Sequence, residues 1–236
     1  MRALPISHRG VWWPDPRQQN TVEAFHAAAQ ADHGLEIDVR VRYWGTKVLS
    51  PRGVLIVAHG PEDVSYRVDR LLPALAKASR IFWNIKEVAA VPLLAEFLDT
   101  HSAPDVGLRQ KSVLFDWDFC GDATQNSLLA TGVPILLRAS DKPEESLLSV
   151  LHNSLGVGVW LDAFERDWVT AAVIEQVHAA GKAAYVVSPE LHDRPLTLAV
   201  WDQWREADGI CTDFPGLLKS FLSVESPLFP ENPWWN

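Results

Sequence analysis

The sequence predicts a (β/α)8 TIM barrel with a small hairpin-like insertion after the second strand. Three observations point there. Eight short apolar runs alternate with helical patterns, and strands that alternate with helices pair as a parallel sheet. The length of 236 residues falls in the range of about 200–250 that such a barrel uses as one unit. Polar side chains recur at the C-terminal ends of the apolar runs, the face on which barrels build their sites. A doubly wound open sheet is the rival architecture. The Gly-rich dinucleotide fingerprint that often accompanies it is absent after the first run. No linker or internal repeat divides the chain, so residues 1–236 read as one domain, with the insertion at about 41–62.

Leu4–Ser7 reads as the first strand, and Thr21–Gln30 as a helix capped by Asn20 or Thr21. Gly34–Arg40 is a strand with acidic residues on one face and Leu35, Ile37 and Val39 on the other. Tyr43 to Pro61 is irregular. Its Ser50-Pro51-Arg52-Gly53 turn leads into Val54–Ala58, which suggests a hairpin. The rhythm then resumes, with helices at Arg70–Ser79, Val91–Thr100, Asp122–Thr131, Pro143–Leu155, Thr170–Ala180, Leu196–Glu206 and Gly216–Leu222. Between them lie strands at Ile81–Lys86, Ser112–Trp117, Pro134–Arg138, Val157–Asp162, Ala183–Ser188 and Asp208–Asp213. The Pro-rich stretch from Ser226 to Asn236, with Trp234 and Trp235, reads as a cap on the barrel.

Apolar residues make up 47% of the chain and charged residues 22%, enough for a full core. A net charge of -9 repels a long polyanion, so nucleic acid is not an expected partner. The two cysteines, Cys120 and Cys211, are too few for a disulfide framework and suit a reducing, cytoplasmic setting. Met1–Ser7 is too short for a signal peptide. No apolar run approaches the roughly 18 residues of a membrane span. The eleven tryptophans read chiefly as core packing, with Trp12 and Trp13 as candidate walls for a ligand.

Most of the candidate chemistry lies in the first 60 residues. Glu36 and Asp38 are two apart on one strand and therefore share a face, the barrel interior. Two carboxylates held so close need a cation, and a hard divalent ion, Mg2+ or Ca2+, takes oxygen ligands. His8 and His59 each end an apolar run and precede or approach a glycine. Histidine is the usual proton carrier near neutral pH. Arg9 can fork onto phosphate oxygens. Asn84 and Lys86 share one face of the third barrel strand. The former offers a third oxygen to the ion and the latter a second cation for phosphate. A buried salt bridge from Lys86 to one of the acids is the plainer reading. Asp116, Arg138, Asp162, Ser188 and Asp213 lie at other strand ends, and His192 lies near the same face without an evident role.

Taken in order, Ser7-His8-Arg9-Gly10, Gln19–Phe25, Gly34–Val39, Val57-Ala58-His59, Asn84-Ile85-Lys86 and Gly209–Pro215 resemble the glycerophosphodiester phosphodiesterase family, within the phospholipase-C-like phosphodiesterases. The resemblance implies a metal-dependent hydrolase of a small phosphodiester. It makes His8 and His59 the general acid–base pair, Arg9 a phosphate ligand, and Glu36 and Asp38 holders of the divalent ion. Two departures mark a divergent branch. The family usually has aspartate after the second histidine, where this chain has Gly60. It also usually has glutamate two residues before the lysine, where this chain has Asn84. A neutral ligand weakens metal binding or leaves the ion a stronger Lewis acid. The alternatives are a catalytically weakened barrel that binds a phosphorylated ligand and, less well matched to paired histidines, a metal-dependent aldolase.

Overall fold

The computed structural model describes residues 3–44, 52–63, 65–101, 107–116 and 122–224. Its strands are β1 Leu4–His8, β2 Gly34–Trp44, β3 Arg52–Val57, β4 Tyr66–Arg67, β5 Ile81–Ile85, β6 Ser112–Asp116, β7 Leu136–Ser140, β8 Gly158–Asp162, β9 Ala183–Val187 and β10 Gly209–Thr212. Its α-helices are α1 Val22–Gln30, α2 Leu72–Lys77, α3 Ala90–Thr100, α4 Leu108–Lys111, α5 Asp122–Ala130, α6 Leu147–His152, α7 Ala171–Ala179, α8 Leu198–Gln203 and α9 Pro215–Ser223. The Pro-rich segment with Trp234 and Trp235, the Ser50-Pro51 part of the turn, Trp117 and Cys120 lie outside the described residues. Among those residues no helix is long and apolar enough to cross a membrane.

Eight strands form the TIM-barrel sheet. β1 pairs in parallel with β2 and β10, β2 with β5, and β5 with β6, while β7, β8, β9 and β10 follow one another in parallel. At the remaining seam the described residues form one parallel bridge, Leu114 with Ile135. There the Leu114 N–H donates to the Pro134 carbonyl at 2.9 Å. This bridge links the two ends of the strand order.

Alternation of side chains separates two cores. Leu35, Ile37, Val39, Trp83 and Ile85 belong with helix residues such as Phe25, Leu75 and Leu94 in the layer between strands and helices. Ile6, Phe82, Val113, Leu136, Trp160, Tyr185 and Cys211 form the second cluster, inside. Phe82 of β5 reaches Tyr185 of β9 at 5.1 Å and Trp160 of β8 at 5.9 Å, between centroids. These strands are not neighbours, so the rings meet across the interior. The aromatic layer is the floor on which the polar strand ends sit.

The expected hairpin is present and begins earlier than 41. β2 is one continuous strand with β5 along one edge, from Leu35 to Val39, and two strands in succession along the other: β1 beside Gly34 to Glu36, then β3 antiparallel beside Val39 to Trp44. β4 adds a short outer strand on β3. Other elements depart from expectation. The strand expected at 134–138 runs from 136 to 140, because Pro134 and Ile135 are used in the seam to β6. The helix expected at 143–155 shrinks to Leu147–His152. Glu145 folds back instead, its carbonyl accepting the Ser140 N–H and its carboxylate taking Arg138. That local pair outweighs the helical preference of the segment. The helix expected at 196–206 likewise contracts to α8, and α4 was not anticipated.

α1 has the local signals that set its place. Thr21 accepts the Ala24 N–H at 3.2 Å as its cap. Ala24, Phe25, Ala28 and Ala29 form its buried stripe. Gly10, at φ +90°, lets the chain turn between β1 and this helix. A side chain there would place a β-carbon 2.7 Å from that of Ala24.

Candidate active site

The C-terminal ends of the strands surround a cavity of about 350 Å³. His8, Arg9, Glu36, His59, Asn84 and Lys86 line one side, and Arg138, Trp160, Asp162, Phe164 and His192 the other. All seven sequence-predicted site residues meet here: Asp38 joins the six through its ion pairs. Among the described tryptophans, Trp160 lines the cavity. The expectation for Trp12 and Trp13 is corrected: Trp12 is buried and donates its indole N–H to the His8 carbonyl at 3.1 Å. Trp13 is exposed and packs edge-on to Phe214.

Asp38 is the electrostatic centre. Arg9 Nε donates to its Oδ2 at 3.1 Å, and Lys86 Nζ lies 2.9 Å from its Oδ1. Burial pushes its carboxyl up, but Lys86 and Arg9 outweigh this and hold it below the usual range. The plainer reading of Lys86 is therefore present in the structure. Arg9 occupies the left-handed region at φ 58°, and so does Asn20 at φ 56°. For an arginine this conformation costs on the order of 1 kcal/mol. It is held by Nη1 donating to Gln19 Oε1 at 3.2 Å and by the Asn20 N–H donating to the Arg9 carbonyl at 2.9 Å.

Glu36 differs. Its pKa is raised, first by burial and then by the charge of Asp38. Asn84 Nδ2 donates to its Oε1 at 2.9 Å. Glu36 Oε2 and Asn84 Oδ1 are buried and have no hydrogen-bond partner among the described residues. Two orphaned oxygens beside a second carboxylate suit a hard cation that keeps some of its water. The donor set fits Mg2+ or Ca2+, though sparsely. Among the described residues no three His, Cys, Asp or Glu side chains form a metal cage.

The two histidines are held unequally. His8 Nδ1 lies 2.7 Å from Asp213 Oδ1, which leaves Nε2 as the nitrogen available to a ligand. His59 reaches the cavity through the hairpin. The Ala58 N–H donates to the Asp38 carbonyl at 3.2 Å, and Arg40 Nε donates to the His59 carbonyl at 2.8 Å. Burial, followed by the nearby charge of Arg9, pushes the His59 imidazole down to about 4. At neutral pH it is an uncharged base. Gly60, where a carboxylate was expected by resemblance, donates its N–H to Asp63 at 2.5 Å.

Sequence reasoning missed three features. Glu190 is half-buried and accepts from Thr212 Oγ1, and from the Asp213 N–H at 3.2 Å, so it fixes the turn that presents Asp213 to His8. Burial raises its pKa, against the pull of the Ser188 and Thr212 hydroxyls. Gln19 and Asn20 steady Arg9, and Asn20 Nδ2 also lies 3.5 Å from Asp38. His192 pairs with Asp162. The sequence placed the carboxylate at a strand end and His192 near the same face, without joining them.

A (β/α)8 barrel with ionisable groups gathered at its C-terminal face is the class that fold and site define. Among solved structures, a glycerophosphodiester phosphodiesterase from Agrobacterium tumefaciens str. C58 is similar at a TM-score of 0.63 and 19% identity, over 95% of this chain and 100% of that one. A glycerophosphoryl diester phosphodiesterase from Parabacteroides distasonis ATCC 8503 is similar at 0.66 and 13%, over 98% and 89%. Tryptophan synthase subunit alpha from Campylobacter jejuni is similar at 0.52 and 11%, over 92% and 90%. At these identities the likeness is one of fold. No family model and no curated protein matches the sequence.

Proposed function

We propose that the chain is a metal-dependent hydrolase of a small, glycerophosphodiester-like phosphodiester, with His8 and His59 as its acid–base pair. The observation that carries this reading is that two imidazoles, two cations and the orphaned oxygens of Glu36 and Asn84 share one cavity. The fold likeness to solved phosphodiesterases supports it. Arg9 and Lys86 would hold phosphate oxygens while Asp38 holds both cations in place. One imidazole would take the proton of the attacking water or substrate hydroxyl. The other would protonate the departing alkoxide. Asp213 orients His8 for either task. A divalent ion held by Glu36, Asp38 and Asn84 would supply Lewis-acid polarisation of a phosphate oxygen. Water as nucleophile gives a monoester directly, and a neighbouring hydroxyl gives a cyclic phosphate first.

The test is hydrolysis of a panel of glycerophosphodiesters with Mg2+, Ca2+ or Mn2+, and after chelation. His8→Ala and His59→Ala should each lower turnover about 100-fold or more while leaving the melting temperature near that of the wild type. Wild-type rates in both variants would reject the acid–base pair, and indifference to chelation would reject the ion. One observation favours a second reading, a barrel that binds a phosphorylated ligand without efficient turnover. Asp38 is already neutralised by two side chains, and Asn84 replaces a charge. Phosphate binding without hydrolysis of any diester would select it.

A further inference from the structure

Behind the wall that carries His8 stands a carboxylate that the proposed chemistry leaves unused. Glu190 belongs to the short turn Pro189–His192 that follows β9. Leu191 and His192 of that turn line the cavity, whereas Glu190 is not among the lining residues. Alternation explains its place. Val187 and Cys211 belong to the interior cluster, so Ser188 and Thr212, each one residue further along the chain, point outward to the helix layer. Both are fully buried. Glu190 bridges those two strand ends from behind. Ser188 Oγ takes the indole N–H of Trp201 in α8 at 3.1 Å, and Thr212 Oγ1 takes the Phe214 N–H at 3.1 Å. Each hydroxyl still has its own hydrogen to give. Ser188 gives it to Glu190 Oε2 and Thr212 to Oε1.

The Asp213 N–H joins Oε1 at 3.2 Å. One carboxylate thus gathers three donors, two of them from consecutive residues after β10. From this clamped backbone Asp213 reaches His8, its Oδ1 2.7 Å from Nδ1. The clamp grips a backbone N–H and a hydroxyl, so it works whichever of His8 and Asp213 carries their shared proton. We propose that Glu190 is a positioning residue for His8: by accepting hydrogen bonds, and not by its charge, it holds the Thr212–Asp213 backbone so that Asp213 orients the imidazole for proton transfer. Ser188 and Trp201 extend that hold back to α8. This rests on the reading of His8 as one of the acid–base pair. Proton transfer is sensitive to such a hold, since a displacement of about 1 Å can cost on the order of 100-fold in rate. Glu190 lies outside the cavity, so its loss should fall on kcat and leave KM near the wild-type value.

The test is steady-state hydrolysis of glycerophosphocholine, glycerophosphoethanolamine and glycerophosphoglycerol by the full chain in Mg2+, with a melting curve for each variant. Glu190→Ala frees Asp213 and should lower kcat about tenfold or more. Glu190→Asp keeps the charge but is one methylene too short to bridge Ser188 and Thr212, so it should be as slow. Glu190→Gln keeps an acceptor oxygen for Thr212 and Asp213 and should stay within about threefold of the wild type. A Glu190→Gln as slow as Glu190→Asp, wild-type kcat in both Glu190→Ala and Glu190→Asp, or a loss confined to KM would each overturn the proposal. Non-additivity separates positioning from a general loosening of the fold. In an Asp213→Ala background the link to His8 is already cut, so Glu190→Asp should slow the enzyme less than about twofold further. A full tenfold loss there would mean that Glu190 acts by another route. If Glu190→Ala fails to fold, the Asp and Gln variants decide between the same outcomes. Undiminished turnover in His8→Ala, or no hydrolysis of any of the three diesters by the wild type, overturns the acid–base reading and the positioning role with it. A slow His8→Ala beside unaffected Glu190 variants overturns the positioning role alone.

Discussion

The two sides of the cavity both place carboxylates at strand ends, yet they balance them differently. On the far side Asp162 pairs with His192 and Glu145 with Arg138. On the β2–β5 side Asp38 takes both cations, and Glu36 is left with an amide and an orphaned oxygen. A self-balanced wall has little use for an added charge. A wall with one carboxylate in deficit is where a cation gains most, because a buried, unsatisfied acid is stabilised by whatever positive charge reaches it.

The difference can be broken most forcefully at Asp38. Asp38→Ala strips Arg9 and Lys86 of their shared partner inside the barrel. It should cost roughly 3–5 kcal/mol, read as a fall in the urea midpoint, and a change below about 1 kcal/mol would mean that the cations are otherwise satisfied. Asn84→Glu sharpens the contrast from the other direction by adding a third carboxylate. In chelator the variant should lose about 1–3 kcal/mol through like-charge crowding and the lost amide hydrogen bond. Millimolar Mg2+ or Ca2+ should return that loss, and melting curves identical with and without the ion would remove this cluster as a cation site.

A third change concerns the foot of β2, where His33 is buried and its Nδ1 has no hydrogen-bond partner among the described residues. Burial, then the charge of Lys219, pushes His33 down to about 4 from an ordinary 6.5. Below 6.5 the unfolded chain takes up a proton that the folded chain refuses until about 4. Stability from this residue is therefore complete above 6.5 and lost as pH falls toward 4. Moving from pH 7 to 4.5 should narrow the stability of the wild type relative to His33→Gln by about 1–3 kcal/mol, measured by urea unfolding at both pH values. The smallest effect belongs to the balanced wall. Replacing Arg138 and Glu145 together with leucine should cost under about 1.5 kcal/mol, less than either single change. A double-mutant cycle showing simple additivity would mean that the two are not coupled.

Parity made the near side of the site legible. The two-residue spacing of Glu36 and Asp38, with apolar residues between, fixes both on the inner face, and the same spacing works for Asn84 and Lys86. Strand ends marked Asp162 and Asp213 as well. Which partner each would take was not legible, since His192 and Asp162 are 30 residues apart and Glu190 meets Thr212 and Asp213 from another loop. The rhythm of elements came through because it depends on local pattern. The shift of β7 and the shortening of α6 did not, because a seam pairing and the Arg138–Glu145 contact decide them, and both are tertiary.

The double allegiance of β2 carries one more consequence. Val39 meets Ile85 on one edge and Val57 on the other, so the distance walked from Asp38 out along the hairpin and back to His59 is counted by strand register. A single residue inserted within β3, between Val54 and Val57, would turn the imidazole to the opposite side of the ribbon. Chain length is thus quantised in steps of two along the legs of the ribbon.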